Sequence, residues 1–191
     1  MMSKTNPTHR HAVQFYEDSS SLCRLVGDFL AEGLAVGQPA VVIATAEHEQ
    51  QILADLGARM INVEQARRLG ELVLLNMEDT LGAFMLNGTP NPILFDQHMS
   101  TILTQVSRVR PRTTIRAYGE MVDVLWKAGR PEAAITLEML WNALASKYAF
   151  SLLCGYAMGQ FYKQPDLYQK VCGQHDAVID THARLVSAPA G

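Results

Sequence analysis

Cysteine is scarce in this chain. Cys23, Cys154 and Cys172 are the 3 present in 191 residues, and no Cys-x-x-Cys spacing occurs. A disulfide framework is excluded, and a reducing cytoplasm is the expected compartment. Long apolar runs are also missing. The longest is Ala40–Ala44, against the about 20 residues that a membrane-spanning helix needs. Neither sign of charge dominates. Lys and Arg number 16 against 19 Asp and Glu, a net charge of −3, so the basic surplus of a direct nucleic-acid binder is lacking. Residues 1–10 are polar and hold no apolar stretch of the signal-peptide kind. No linker, charge block or fixed-period repeat interrupts the middle of the chain.

What is present is globular: 48% of residues are apolar and 18% charged. A chain of this length buries about 70% of its unfolded surface, enough for a core without staples. The expected organisation is a flexible leader over 1–10, one domain over 11–182 and a frayed tail over 183–191. Short apolar runs alternate with helical stripes. Strands are predicted near 12–16, 40–44, 72–75, 114–118 and 150–155. Helices are predicted over the Leu22–Leu30 stripe, 46–55, 63–69, 76–86, 93–109, 119–128, 132–147 and 165–182. The strand runs are apolar throughout, as in strands buried on both faces. The pattern predicts an α/β, three-layer fold with a mainly parallel sheet flanked by helices. Ligands of such sheets sit beyond the carboxyl ends of the strands. That rule selects Tyr16, Glu17 and Asp18; Thr45, Glu47 and His48; Asn76, Glu78 and Asp79; Tyr118, Gly119 and Glu120; and Cys154, Gly155 and Tyr156.

Several of these strand ends belong to linked segments. They are His11–Asp18 (HAVQFYED), Pro39–Thr45, Leu72–Leu75, Arg116–Val122 (RAYGEMV) with Leu125-Trp126, Leu137-Glu138-x-x-Trp141-Asn142-x-Leu144, and Phe150–Tyr156 (FSLLCGY). In this order and spacing they resemble the MEDS domain, the sensory domain named for methanogens, methylotrophs and the regulator DcmR. Ala157 stands where the family often has proline. The resemblance implies a degenerate RecA/KaiC-like fold and a bacterial or archaeal signalling module. It also implies a signalling partner such as a histidine kinase or a transcription regulator, and the chain reads as a stand-alone member.

The motif chemistry is weighed residue by residue. A RecA-like ATPase cradles phosphates with a glycine-rich loop and a lysine between first strand and first helix. Here that stretch reads Glu17-Asp18-Ser19-Ser20-Ser21, with neither. The acidic pair either binds a cation or amine, or caps the helix. Glu120 either orients a ligand or complements a helix dipole. Glu138 is either half buried beside Trp141 or solvated. Cys154 is either core filler or a redox or metal residue. Cys172, His175 and His182 share one helical arc, but His175 and His182 stand about 10.5 Å apart along it, so a three-ligand metal site within this helix is rejected; His175 with Cys172 either joins residues from elsewhere or is polar surface of a C-terminal helix. His11 lies at a strand's amino end and reads as structural. Arg108, Arg110, Arg112 and Arg116 form either an anion site or a solvated loop.

The expected function is a non-catalytic sensory module that binds a small molecule and relays to a partner protein. The alternatives are a protein–protein adaptor without ligand and a nucleotide-dependent enzyme of the RecA/KaiC type. The expected ligand-binding residues are Tyr16, Glu17, Asp18, Glu120, Cys154 and Tyr156, with Trp126 and Trp141 as walls. No cofactor is named, and self-association stays open.

Overall fold

The structure, a computed structural model, describes residues 10–161, 165–180 and 183–187. Its strands are β1 (Arg10–Tyr16), β2 (Ala40–Ala44), β3 (Leu72–Asn76), β4 (Met85–Leu86), β5 (Thr89–Pro90), β6 (Ile115–Gly119), β7 (Phe150–Ala157), β8 (Ala177–Asp180) and β9 (Ala183–Ser187). Its helices are α1 (Ser19–Ala35), α2 (Ala46–Ala58), α3 (Val63–Arg68), α4 (Met77–Gly82), α5 (Pro92–Val109), α6 (Met121–Lys127), α7 (Pro131–Leu144) and α8 (Pro165–Cys172). Seven strands form one sheet in the order β3-β2-β6-β7-β1-β8-β9. All neighbours in it run parallel except the antiparallel pair β8–β9. This is the expected α/β architecture. No helix among the described residues is long and apolar enough to cross a membrane.

The order of strands explains the two layers of helices. From β1 through β2 to β3 the chain moves toward one edge, and from β3 through β6 and β7 to β8 it moves back. Right-handed crossovers then place the helices of the two journeys on opposite faces. Accordingly Leu22, Val26 and Leu30 of α1, Ile52 and Leu56 of α2 and Ala66 of α3 pack with Val42, Tyr118 and Leu153 on one face. On the other face Leu103 of α5, Leu125 of α6, Leu137 and Trp141 of α7 and Val171 of α8 pack with Val13, Val41, Ala117, Leu152 and Cys154. Alternate residues of each central strand therefore meet two different cores, which is why the strands read as unbroken apolar runs. Leu103 is wholly buried in the second core. Leu103→Ala should lower stability by about 3 kcal/mol, read as a shifted urea midpoint with an unchanged slope.

Three expectations are corrected. The helix expected over 76–86 ends at Gly82, and Met85–Leu86 instead pairs with Thr89–Pro90. Asn87 and Gly88 form the turn, with φ of 51° and 81°, the left-handed pair that a two-residue hairpin requires. The helix expected over 165–182 stops at Cys172, where Gly173 follows, and Ala177–Asp180 joins the sheet beside β1. Ala183–Ser187, expected in a frayed tail, pairs with β8 as an antiparallel strand, because Ala177–Asp180 offers it an open sheet edge. Of the leader and tail, residues 1–9 and 188–191 lie outside the described residues, as does His182.

Candidate functional site

Strand β2 feeds α2 on one face while its neighbour β6 feeds α6 on the other, and β1 and β7 diverge likewise. The carboxyl ends of these strands thus frame a crevice at the topological switch, where open α/β sheets bind ligands. Polar side chains from separate segments converge there. Glu120, directly after β6, accepts hydrogen bonds from the Thr45 backbone N–H and from the Tyr118 hydroxyl at 3.0 Å. Its Oε2 lies 2.6 Å from Nδ1 of His48 on the first turn of α2. The other ring nitrogen of His48 is 2.9 Å from the Ser19 hydroxyl, at the start of α1. Beside this chain, the Tyr16 hydroxyl donates to Asp123 Oδ2 at 2.9 Å. Lys127 approaches the same oxygen at 2.6 Å and donates to the Tyr16 hydroxyl at 3.2 Å. Asp123 Oδ1 accepts from the backbone of Ala157, at the end of β7, at 2.8 Å.

Burial and charge set the electrostatics of the crevice. Burial raises the pKa of Glu120, but the bonds from His48 and Thr45 outweigh it and hold the carboxyl below its ordinary range. His48 is raised, first by its hydrogen bond to Glu120 and against its own burial. The two therefore form an ion pair, with His48 12% exposed at the rim. Burial and the neighbouring Asp123 push the Tyr16 hydroxyl up, so it stays a neutral donor. Gly155 makes room for this network: a Cβ there would lie 3.2 Å from the Tyr118 hydroxyl that reaches Glu120.

The predicted site residues divide. Tyr16, at the end of β1, and Glu120, directly after β6, border the crevice. Asp18 caps α1, its carboxylate accepting from the Ser21 N–H at 2.8 Å, and Glu17 beside it is exposed. Cys154 and Tyr156 do not join them. Strand side chains alternate between faces, and these two point into the α7 side, whereas Glu120 turns with Tyr118 toward the α1 side. Trp126 stacks on Phe161 with ring centroids 4.5 Å apart, and Trp141 meets Phe95 edge-on at 5.2 Å; both are core. The arginines do not converge on one site: Arg110 pairs with Glu71, and Arg116 donates to Gln38 and lies over the Phe29 ring. Asp123 and Lys127 were missed, although their i,i+4 spacing on a helix is a readable acid–base signal.

A second polar cluster lies under α7. Glu138, with no exposed surface, sits 3.1 Å from Nε2 of His11 and 3.4 Å from Nε2 of His175. The Tyr156 hydroxyl donates to it at 2.9 Å, and the Cys154 sulfur lies 3.5 Å away. Burial opposes the charge on Glu138, but His175 and His11 overcome that and hold the carboxyl far below its ordinary range. Burial, then Glu138, pushes the Cys154 thiol well up. Consecutive residues of β7 join the two clusters: Tyr156 binds Glu138, and Ala157 binds Asp123. His11, Glu138, Cys154 and His175 come from distant parts of the chain, and no local spacing signals their meeting.

Comparison with known proteins adds to this geometry. Residues 10–176 match the family model described as MEDS, the MEthanogen/methylotroph, DcmR Sensory domain. Among solved structures, one similar fold is the uncharacterized protein PH0321 from Pyrococcus horikoshii in complex with an unknown peptide. It has a TM-score of 0.69 and 13% identity, over 94% of this chain and 83% of that one. Another is the KaiC-like protein PH0186 from Pyrococcus horikoshii OT3, with a TM-score of 0.59 and 12% identity over 93% and 75%. At these identities the likeness speaks for the fold alone. No curated protein sequence matches the chain significantly.

Proposed function

The chain belongs to the MEDS family of sensory domains, and from that premise we propose that it senses a small polar molecule in the crevice beyond β1, β2 and β6 and relays occupancy to a partner signalling protein. The observation that carries this reading is the convergence of Tyr16, Ser19, His48, Glu120, Asp123 and Lys127 from separate segments on the switch point of the sheet. Buried Glu120 and Asp123 act as anchors whose bonds are already made. The rim groups, His48, Ser19 and the half-exposed Lys127, are the ones a ligand meets. His48 and Lys127 are cationic and Ser19 is neutral, so their chemistry suits an uncharged hydroxyl- or carbonyl-bearing molecule. A nucleotide suits it poorly, because only Glu17 and Asp18 separate β1 from α1, too short a turn to wrap a triphosphate.

The test is an amide-resolved NMR titration with a panel of small alcohols and carbonyl compounds. At least one should shift resonances within 16–21, 45–48 and 120–127. His48→Ala and Lys127→Met should each weaken that response about tenfold or more while the rest of the spectrum stays native, as loss of a charged hydrogen bond of roughly 1.5–3 kcal/mol requires. Binding that both variants leave intact, or shifts confined to the amino ends of the strands, would overturn the assignment.

A further inference from the structure

The cluster beneath α7 shares no side chain with the crevice and has the composition of a metal centre. The geometry points to His11, Glu138, Cys154 and His175 as four ligands of one divalent transition-metal ion of the zinc class. Each offers one donor atom, and these atoms all lie within 4.8 Å of one another. The closest separations are 3.1 Å (His11 to Glu138), 3.4 Å (His11 to Cys154), 3.4 Å (His175 to Glu138) and 3.5 Å (Cys154 to Glu138). Ligands at zinc's usual bond lengths in a tetrahedron stand about 3.3–3.6 Å from each other. Glu138 turns Oε2 to His11 and Cys154 and Oε1 to His175, so the widest separations, up to 4.8 Å, must shorten by roughly 1 Å for the site to close around an ion.

The hydrogen bonds outside the cluster set both rings for ligation. Nδ1 of His11 lies 2.8 Å from Oδ1 of Asn142. The amide nitrogen of Asn142 donates to the Gln174 carbonyl at 2.9 Å, which fixes the oxygen toward the ring. Nδ1 of His175 lies 2.7 Å from the Val171 carbonyl. Both Nδ1 atoms thus face acceptors and carry hydrogen, so both rings turn Nε2 inward, the orientation that an acceptor behind the ring fixes in metal-binding histidines. His175 is 5% exposed, and its Nε2 lies buried without a hydrogen-bond partner. That atom is aimed into the cluster, 3.4 Å from Glu138 Oε1.

Charge balance favours the same reading. A buried group of four electron-rich donors must take up positive charge, as protons or as a cation. With the Cys154 proton, and the Nε2 proton of any imidazolium paired with Glu138, displaced to solvent on binding, one thiolate and one carboxylate neutralise a divalent ion, and two neutral imidazoles complete the shell. Thiolate and imidazole together select zinc-like ions over magnesium or calcium. Tyr156, through its bond to Glu138, orients the carboxylate from outside. The ligands come from β1, α7, β7 and the turn after α8, so an ion would tie the turn that leads into β8 to the centre of the sheet.

The experiment uses the full chain, stripped with a chelator and titrated with Co2+, whose tetrahedral thiolate complexes absorb in the visible and carry a sulfur charge-transfer band. One equivalent should bind, with that band, and Zn2+ should bleach it. Cys154→Ser should abolish the band, whereas Cys23→Ser and Cys172→Ser should keep it. X-ray absorption of the wild-type Co2+ or Zn2+ form should show one sulfur and otherwise nitrogen and oxygen, a readout that needs no variant to fold. Folded wild-type protein that takes up no stoichiometric Co2+ or Zn2+ overturns the proposal. So does a metal shell without sulfur, or a band lost in Cys172→Ser and kept in Cys154→Ser.

Discussion

Replacing Glu138 with alanine should destabilise the protein by about 4 kcal/mol, the usual cost of removing one member of a fully buried ion pair. The carboxylate lies within 3.4 Å of Nε2 of both histidines, with Tyr156 bound to it as well. Without it, buried Nε2 atoms and a buried phenol lose their partner, and a cavity opens between α7 and the sheet. Urea unfolding in the presence of a chelator isolates this from any effect of metal. A loss below about 1 kcal/mol would show that the histidines find other partners and that the cluster does not hold α7 and the α8–β8 turn in place. Tyr156→Phe removes one donor and keeps the ring, so it should cost only about 1 kcal/mol. The contrast between the two variants separates the ion pair from its surroundings.

Glu120→Gln should cost about 2 kcal/mol near pH 5.5, the worth of a hydrogen bond between charged groups at a partly buried site. The pH dependence follows from the two shifts. Glu120 lies below its ordinary 4.5 in the folded protein, so its contribution is present above 4.5 and is lost as pH falls through the lower folded value. His48 lies above its ordinary 6.5, so its contribution is complete below 6.5 and is lost as pH rises through the higher folded value. The stability difference between wild type and Glu120→Gln should therefore be largest between pH 4.5 and 6.5 and shrink on both sides. In the variant, burial and Lys127, which lower His48, and Glu47, which raises it, remain, and burial is the largest of the three. Its imidazole resonance should then titrate at lower pH than in the wild type. A His48 titration that is unchanged by the substitution would contradict the ion pair.

The fold and half of the crevice were readable because they rest on local rules. Apolar runs of four to six residues between helical stripes imply strands buried on both faces, and the central strands lie where those runs are. Position at a strand's carboxyl end was enough to select Tyr16 and Glu120, since that rule depends on the fold class alone. Position was not enough for Cys154 and Tyr156. The face on which a strand residue lands depends on which helices cover that face, and this follows from the strand order β2-β6-β7-β1, which no local pattern encodes. The same order brings His11 beside Cys154: β1 and β7 pair in parallel, Val13 opposite Cys154, although the two strands are almost the whole domain apart in sequence. Glu138 read as a helix residue of undecided exposure, and His175 as part of a helix that ends before it. Burial converts such separate polar residues into one electrostatic unit, because in a medium that cannot solvate them each must find its counter-charge among whatever the topology has placed within reach. Composition and periodicity thus determined the layers of this protein and the end of the sheet at which its crevice lies. Only the tertiary pairing decided which charged groups meet, because that depends on distances between strands that the linear order of residues leaves open.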